Sequence, residues 1–279
     1  MRGATARWAG RQRAWSGKDP VDIFGDAAGS ATGTSRTPTP SKRVVHAMIW
    51  PAWYLALTAF SCAPDAPEEG AFARARERMV SEQIEARGVR DPLTLAALRQ
   101  VPRHLFVPAS VKSEAYDDHP LPIGDGQTIS QPYIVAFMTE ALGLKGGETV
   151  LEVGTGSGYQ SAVLAKIASR VYTIEIVAAL AEEAKERLAR LGYGNVTVRA
   201  GDGYLGWPEV APFDAIMVTA AAPRVPEPLK EQLRDGGHLV IPLGDQDQEL
   251  IVMTRHGAAY EERRAIPVRF VPMTGKVRK

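Results

Sequence analysis

Cysteine is almost absent from this 279-residue chain, with Cys62 the only one. One thiol cannot form an intrachain disulfide, and the long C-terminal body has no thiolate to hold zinc or attack a substrate. Histidine is sparse too, at positions 46, 104, 119, 238 and 256. No two stand three to five residues apart, so the local pattern of a metal-binding helix is missing and no metal is expected. The chain also lacks an excess of either charge: 33 basic side chains face 32 acidic ones, for a net charge of +1. That balance leaves no electrostatic footprint for general nucleic-acid binding, and no nucleic-acid partner is expected. Hydrophobic residues, by contrast, make up 45% of the chain, enough for one substantial α/β core with an appendage.

The chain divides into unequal parts. Residues 1–43 are rich in Arg, Gly, Ser, Thr and Pro, and Gly25–Ser41 holds almost no large apolar side chain. Such a segment cannot bury enough surface to offset the entropy of ordering, so a disordered, basic extension is expected. Residues 44–70 follow as a signal-like or anchor segment and linker. The apolar run Val44–Ala63 is near the lower length for a spanning helix. Basic residues precede it, and Asp65, Glu68 and Glu69 follow, the order of a secretory signal. Ala59–Cys62 matches a lipoprotein cleavage box poorly, and Met48 offers an alternative start. Export or membrane tethering through this run therefore stands beside a second reading, a dispensable extension ahead of a cytoplasmic body. Membrane contact is expected only through 44–63.

From Ala71 the pattern becomes globular. Ala71–Arg87 reads as a charged helix with Phe72, Met79, Val80 and Ile84 on related turns. Asp91-Pro92 is a capping residue followed by a first-turn proline, opening a short helix through Arg99. Val101–Gln131 reads as loop, and Ser130-Gln131-Pro132 starts a helix through about Leu142, with Ser130 placed to cap it. Strands are expected at Thr149–Val153, Val171–Glu175, Val196–Arg199, Phe213–Thr219, His238–Leu243 and Leu250–Thr254. Between them lie helices at Tyr159–Ala168, at Val177–Leu191 with Gly192 as its stop, and at Leu229–Leu233. Repeated β-α-β units predict an α/β fold: a Rossmann-like, doubly wound, mostly parallel sheet over 71–279.

Three features sit at the ends of consecutive strands. Gly154, Gly156 and Gly158 form the turn after the first, where backbone without Cβ lies close to a ligand. Their Gly-x-Gly-x-Gly spacing is not the dinucleotide fingerprint, because position 159 is tyrosine. No Gly-Lys-Ser/Thr follows for a P-loop, and Ser157 lacks the flanking glycines of a hydrolase elbow. Glu175 ends the second strand, where a carboxylate accepts both ribose hydroxyls. Gly201-Asp202-Gly203 follows the third, where Asp202 accepts from an adenine amine; a plain Asp-Gly turn is the structural alternative. Together they describe a nucleoside pocket.

This arrangement resembles the S-adenosylmethionine-dependent methyltransferases. DGQTISQP (Asp125–Pro132), LEVGTGSGYQSAVLA (Leu151–Ala165), GDGYLGWPEVAPFDAIMVTAAAP (Gly201–Pro223) and FVPMTG (Phe270–Gly275) resemble, more narrowly, the protein-L-isoaspartate O-methyltransferase family. The resemblance covers 71–279. It implies S-adenosylmethionine as cofactor and damaged proteins bearing L-isoaspartyl or D-aspartyl residues as partners. It makes Ser130 the active-site residue, with Gln127, Thr128 and Ile129 lining the cleft beside it. Gly154, Thr155, Gly156 and Gly158 would hold the methionine portion and ribose, Glu175 the ribose hydroxyls, Asp202 and Gly203 the adenine, and Thr274 would return near the cofactor. A cytoplasmic monomer is expected. His104 and His119 are expected to pack or hydrogen-bond rather than catalyse, and Arg103 and Arg224 to be surface charges. Rival readings are a methyltransferase for another acceptor and a cofactor-binding scaffold without turnover.

Overall fold

The structure, a computed structural model, describes residues 66–278. The expectations for 1–43 and for 44–65 lie outside the described residues. Helix α1 (Ala66–Arg78) begins within the stretch read as linker, ahead of Ala71. It widens into a π-helical segment (Met79–Ile84) and ends in a tight turn (Glu85–Arg87). The widening places Met79, Val80 and Ile84 in the core with no exposed surface. Helix α2 (Pro92–Gln100) starts as its sequence dictates: the Asp91 carboxylate accepts from the Thr94 backbone amide at 2.8 Å and from its hydroxyl at 2.7 Å. Among the described residues no helix is long and apolar enough to cross a membrane.

The stretch expected as loop contains an antiparallel hairpin, β1 (Leu121–Gly124) and β2 (Gln127–Ile129). Its two turn residues, Asp125 (φ 50°) and Gly126 (φ 69°), both have positive φ, the conformation for which Asp-Gly is favoured. Helix α3 (Pro132–Ala141) follows. Gln131, not Ser130, is its cap residue, and no side chain caps the helix from that position. The expected serine cap is therefore corrected: with Pro132 as the first helical residue the cap position falls on Gln131, and Ser130 lies one residue further out.

The body is a seven-stranded sheet in the order β5-β4-β3-β6-β7-β8-β9. Strands β3 (Thr149–Val153), β4 (Arg170–Glu175), β5 (Val196–Ala200), β6 (Phe213–Val218) and β7 (Leu233–Leu243) run parallel. Strands β8 (Gln248–His256) and β9 (Ala259–Val268) add antiparallel to the edge. Helices α4 (Tyr159–Ala165), α5 (Ala178–Arg190) and α6 (Glu227–Gln232) connect the parallel strands. Along β3, Val150 enters one buried cluster, shared with α3, α4 and the N-terminal helices, while Leu151 and Val153 enter a second, shared with β6 and β7. Successive side chains of a strand point to opposite faces, so a sheet covered on both sides reads as a continuous apolar run. Chain order runs outward from β3 to β5 and then returns to β6 on the other side of β3. The switch point therefore lies between β3 and β6, where such sheets bind ligands.

Candidate active site

Backbone bonds stitch the carboxyl ends of the central strands together. The Gly154 amide donates to the Ile174 carbonyl at 2.8 Å, Gly201 to Glu175 at 2.8 Å, and Thr219 to Val153 at 2.9 Å. The glycine turn leaves β3 with Gly154 at φ 101°. A Cβ there would collide with the Thr219 hydroxyl, which donates to the Gly154 carbonyl at 2.7 Å. Only a residue without Cβ allows that contact and that φ together. Thr155 is buried and shares a hydrogen bond with Thr173, Oγ1 to Oγ1, at 2.7 Å.

Glu175 is 5% exposed, yet both its oxygens are fixed: Oε2 accepts from the Gly156 amide at 2.8 Å and Oε1 from Val177 at 3.0 Å. The strand-end carboxylate is thus tied directly to the glycine turn. Asp202 sits one strand further out, where its oxygens accept from Tyr204 at 3.0 Å and Lys276 at 2.8 Å. A Cβ on the adjacent Gly203 would collide with Val153, so Asp202-Gly203 is seated hard against the end of β3. The C-terminal segment returns across these tips. The Met273 amide donates to Ala221 at 2.7 Å, which places the exposed Thr274 between that bond and the Lys276 contact with Asp202.

The β1-β2 hairpin covers the turn from the other side, since a Cβ on Gly156 would lie 3.2 Å from Ile123 Cδ1. Gln127 and Thr128 are half-buried on β2, and Ile129 is buried opposite Leu121. Ser130 is half-buried, and its hydroxyl makes no hydrogen bond among the described residues. The structure therefore brings Gly154, Thr155, Gly156, Gly158, Glu175, Asp202 and Gly203 together on the strand ends. The hairpin that carries Gln127, Thr128 and Ile129, with Ser130 following it, approaches the glycine turn through Ile123, and among the described residues these four make no hydrogen bond to that turn.

Sequence reasoning missed Glu152. It is fully buried one residue before the end of β3, accepts from the Ser161 hydroxyl, and leaves Oε1 without a hydrogen-bond partner among the described residues. Burial, then the charge of Glu175, pushes its carboxyl up to about 8. Its signal was a lone acid inside an apolar strand. Thr219 was missed too, as the last residue of an apolar run. Arg103 is corrected: it is a core residue with no exposed surface. Its Nε donates to the Ala115 carbonyl at 2.8 Å, its guanidinium lies 4.9 Å from the centre of the Tyr159 ring, both terminal nitrogens lack a hydrogen-bond partner among the described residues, and burial lowers its pKa to about 10. Arg224 is exposed, as expected. His104 stacks on Phe72 with ring centroids 4.1 Å apart and meets the Tyr116 hydroxyl at 2.8 Å.

A doubly wound sheet with ligand-type residues beyond three consecutive strands defines the class, the Rossmann-like methyltransferases. A model of the protein-L-isoaspartate (D-aspartate) O-methyltransferase family matches residues 74–278. The chain belongs to that family. It is 58% identical over 200 residues, 72% of this chain and 90% of the relative, to a protein-L-isoaspartate O-methyltransferase of Picosynechococcus sp.. A solved protein-L-isoaspartate O-methyltransferase superposes with a TM-score of 0.68 at 31% identity, covering 72% of this chain and 67% of that one. A Plasmodium falciparum structure, described as a candidate enzyme of the same kind in complex with S-adenosyl-L-homocysteine, gives 0.64 at 28% identity, covering 71% and 98%.

Proposed function

We propose that this enzyme transfers a methyl group from S-adenosylmethionine to the free carboxylate of L-isoaspartyl and D-aspartyl residues in damaged proteins, beginning their repair. Beyond family membership, the observation that carries the reading is the Glu175 carboxylate at the end of β4, held by the Val177 amide and by the Gly156 amide of the turn that leaves β3. Each carboxylate oxygen has two lone pairs, so one amide apiece leaves Glu175 able to accept both ribose hydroxyls. Gly154, Thr155, Gly156 and Gly158 then hold the methionine portion and ribose. Asp202 and Gly203 meet the adenine, and Thr274 closes the site from the C-terminal segment. When bound, the cofactor supplies an electrophilic sulfonium methyl.

The acceptor is a carboxylate, already ionised at pH 7, so the protein needs no general base. Its work is alignment and exclusion of water. The Ser130 hydroxyl, without a hydrogen-bond partner among the described residues, orients the substrate carboxylate by donating a hydrogen bond, and is neither acylated nor methylated. Gln127, Thr128 and Ile129 wall the cleft beside it. One copy carries every group invoked, so the enzyme acts as a monomer, and it works in the cytoplasm, where its methyl donor is made.

The test uses the full chain, labelled S-adenosylmethionine and two peptides that differ only in carrying isoaspartate or aspartate at one site. Label on the isoaspartyl peptide alone, released by base as methanol, is the expected result. Label on neither peptide, with the cofactor bound, would move the enzyme to another acceptor.

A further inference from the structure

Among the described residues the Ser130 side chain makes no hydrogen bond, so its position there follows from the chain on either side of it. Ile129, before it, is anchored by the hairpin. Beyond it, the first turn of α3 exposes amide groups that no helix partner can satisfy. The Asp118 carboxylate, from the turn that precedes β1, reaches this point. Its Oδ1 accepts from the Tyr133 amide at 3.2 Å, and its Oδ2 from Gln131 Nε2 at 2.8 Å. Gln131 Nε2 also donates to the Asp118 carbonyl at 2.9 Å. Arg87, at the end of the first helical segment, pairs with Oδ2 while its guanidinium lies 3.5 Å over the Tyr133 ring. One carboxylate thus caps α3 in place of the missing serine cap. It joins three stretches of chain around the residue after Ser130.

We infer that Asp118 is a positioning residue for methyl transfer: with Arg87 and Gln131 it sets where the Ser130 hydroxyl stands over the cofactor turn. A negative charge suits that place, because it meets both a helix N-terminus and a guanidinium. The inference rests on the reading of Ser130 as the group that orients the substrate carboxylate.

The experiment is a double-mutant cycle in the full-length enzyme, using Ser130→Ala, Asp118→Ala and the pair. The readouts are kcat and KM for an isoaspartyl peptide and the Kd for S-adenosylhomocysteine. Misplacing a reacting group by about 1 Å can cost on the order of a hundredfold, so D118A should lower kcat/KM by about tenfold to a hundredfold. In the S130A background D118A should have little further effect, because both act through one hydroxyl. The Kd should stay within about twofold in all variants, since among the described residues the hydrogen bonds of Arg87, Asp118 and Gln131 stay within the clamp and none reaches the strand ends. Asp118→Asn keeps an oxygen for the Tyr133 amide and should recover part of the loss. Should D118A fail to fold, the same cycle is read with D118N, whose smaller loss should likewise vanish in the S130A background. Additive losses in the cycle, or a Kd weakened in parallel with kcat/KM, would overturn the positioning role and leave Ser130 in place. Unchanged turnover in S130A alone would remove the serine's role, and this inference with it.

Discussion

At the scale of single residues, the glycine turn proposed to hold the cofactor depends on one atom being absent. Gly154→Ala adds a Cβ at φ 101° and drives it into the Thr219 hydroxyl. Strain of this kind costs about 1–3 kcal/mol, and a shift of the turn weakens cofactor binding by about tenfold for each 1.4 kcal/mol. Calorimetric titration with S-adenosylhomocysteine should show that loss, and an unchanged Kd would count against the turn as the binding element. Glu152 gives a prediction with a definite sign. Its carboxyl titrates near 8 in the folded chain against an ordinary 4.5, so between those values the unfolded chain is ionised while the folded chain holds its proton. The folded state then binds more protons, and stability falls as pH rises through that window, by up to about 1.4 kcal/mol per pH unit. Glu152→Gln removes the cost. Urea midpoints without cofactor should favour the variant at pH 7.5 and converge with the parent towards pH 4.5; a constant gap would mean that Glu152 is not the titrating group. That Gly154, Glu175 and Asp202 lie at the ends of neighbouring strands was legible because the hydropathy pattern marks where each strand stops. Glu152 and Asp118 were not, because their significance lies in what they touch: a buried serine on the next helix, and a helix start that another residue was expected to cap.

At the scale of elements, local chemistry and tertiary packing contribute unequally. Helix α2 is written locally: the Asp91 side chain satisfies the Thr94 amide, and Pro92 fixes the first turn. Asp91→Ala should cost about 1 kcal/mol, seen as a lower urea midpoint with an unchanged slope. A slope that also changed would mean that the cap helix had already loosened in the native state. The parallel strands β3 to β6 were legible within about a residue: β3, β4 and β6 are short, mostly buried apolar runs, and β5, at the sheet edge, still shows β-branched residues between turn signals. Strand β9 was not, since Glu261, Glu262, Arg263 and Arg264 make it read as solvent-exposed chain. It is an edge strand, where charge is tolerated and guards against pairing with another molecule. The β1-β2 hairpin was hidden by its brevity and its prolines, although Asp125-Gly126 carried the turn signal. Strand β7 begins at Leu233, earlier than His238, because pairing with β6 persists through a register shift that no periodicity reveals.

At the scale of the whole molecule, the site is assembled from two halves with different origins. The half proposed for the cofactor is built from parallel strand ends, bonded to one another through backbone. The half proposed for the substrate arrives on the hairpin and the start of α3, and among the described residues it meets the first half through the side chain of Ile123 rather than through hydrogen bonds. Donor binding and methyl transfer should therefore be separable by mutation. A ligand that binds only the folded state at about 100 times its Kd adds about 2.7 kcal/mol, which in a domain of this size raises Tm by about 5–10 °C. Ser130→Ala should keep that rise with S-adenosylhomocysteine while losing turnover of the isoaspartyl peptide. Glu175→Gln should lose most of the rise, because an amide leaves only one oxygen to serve the Gly156 and Val177 amides and the ribose together. Each variant is compared with its own ligand-free Tm, which removes any effect on the fold itself. If Ser130→Ala lost the rise as fully as Glu175→Gln, the two halves would form a single cooperative unit. Methyl transfer would then depend on the hairpin closing over bound donor, rather than on a serine standing ready beside it.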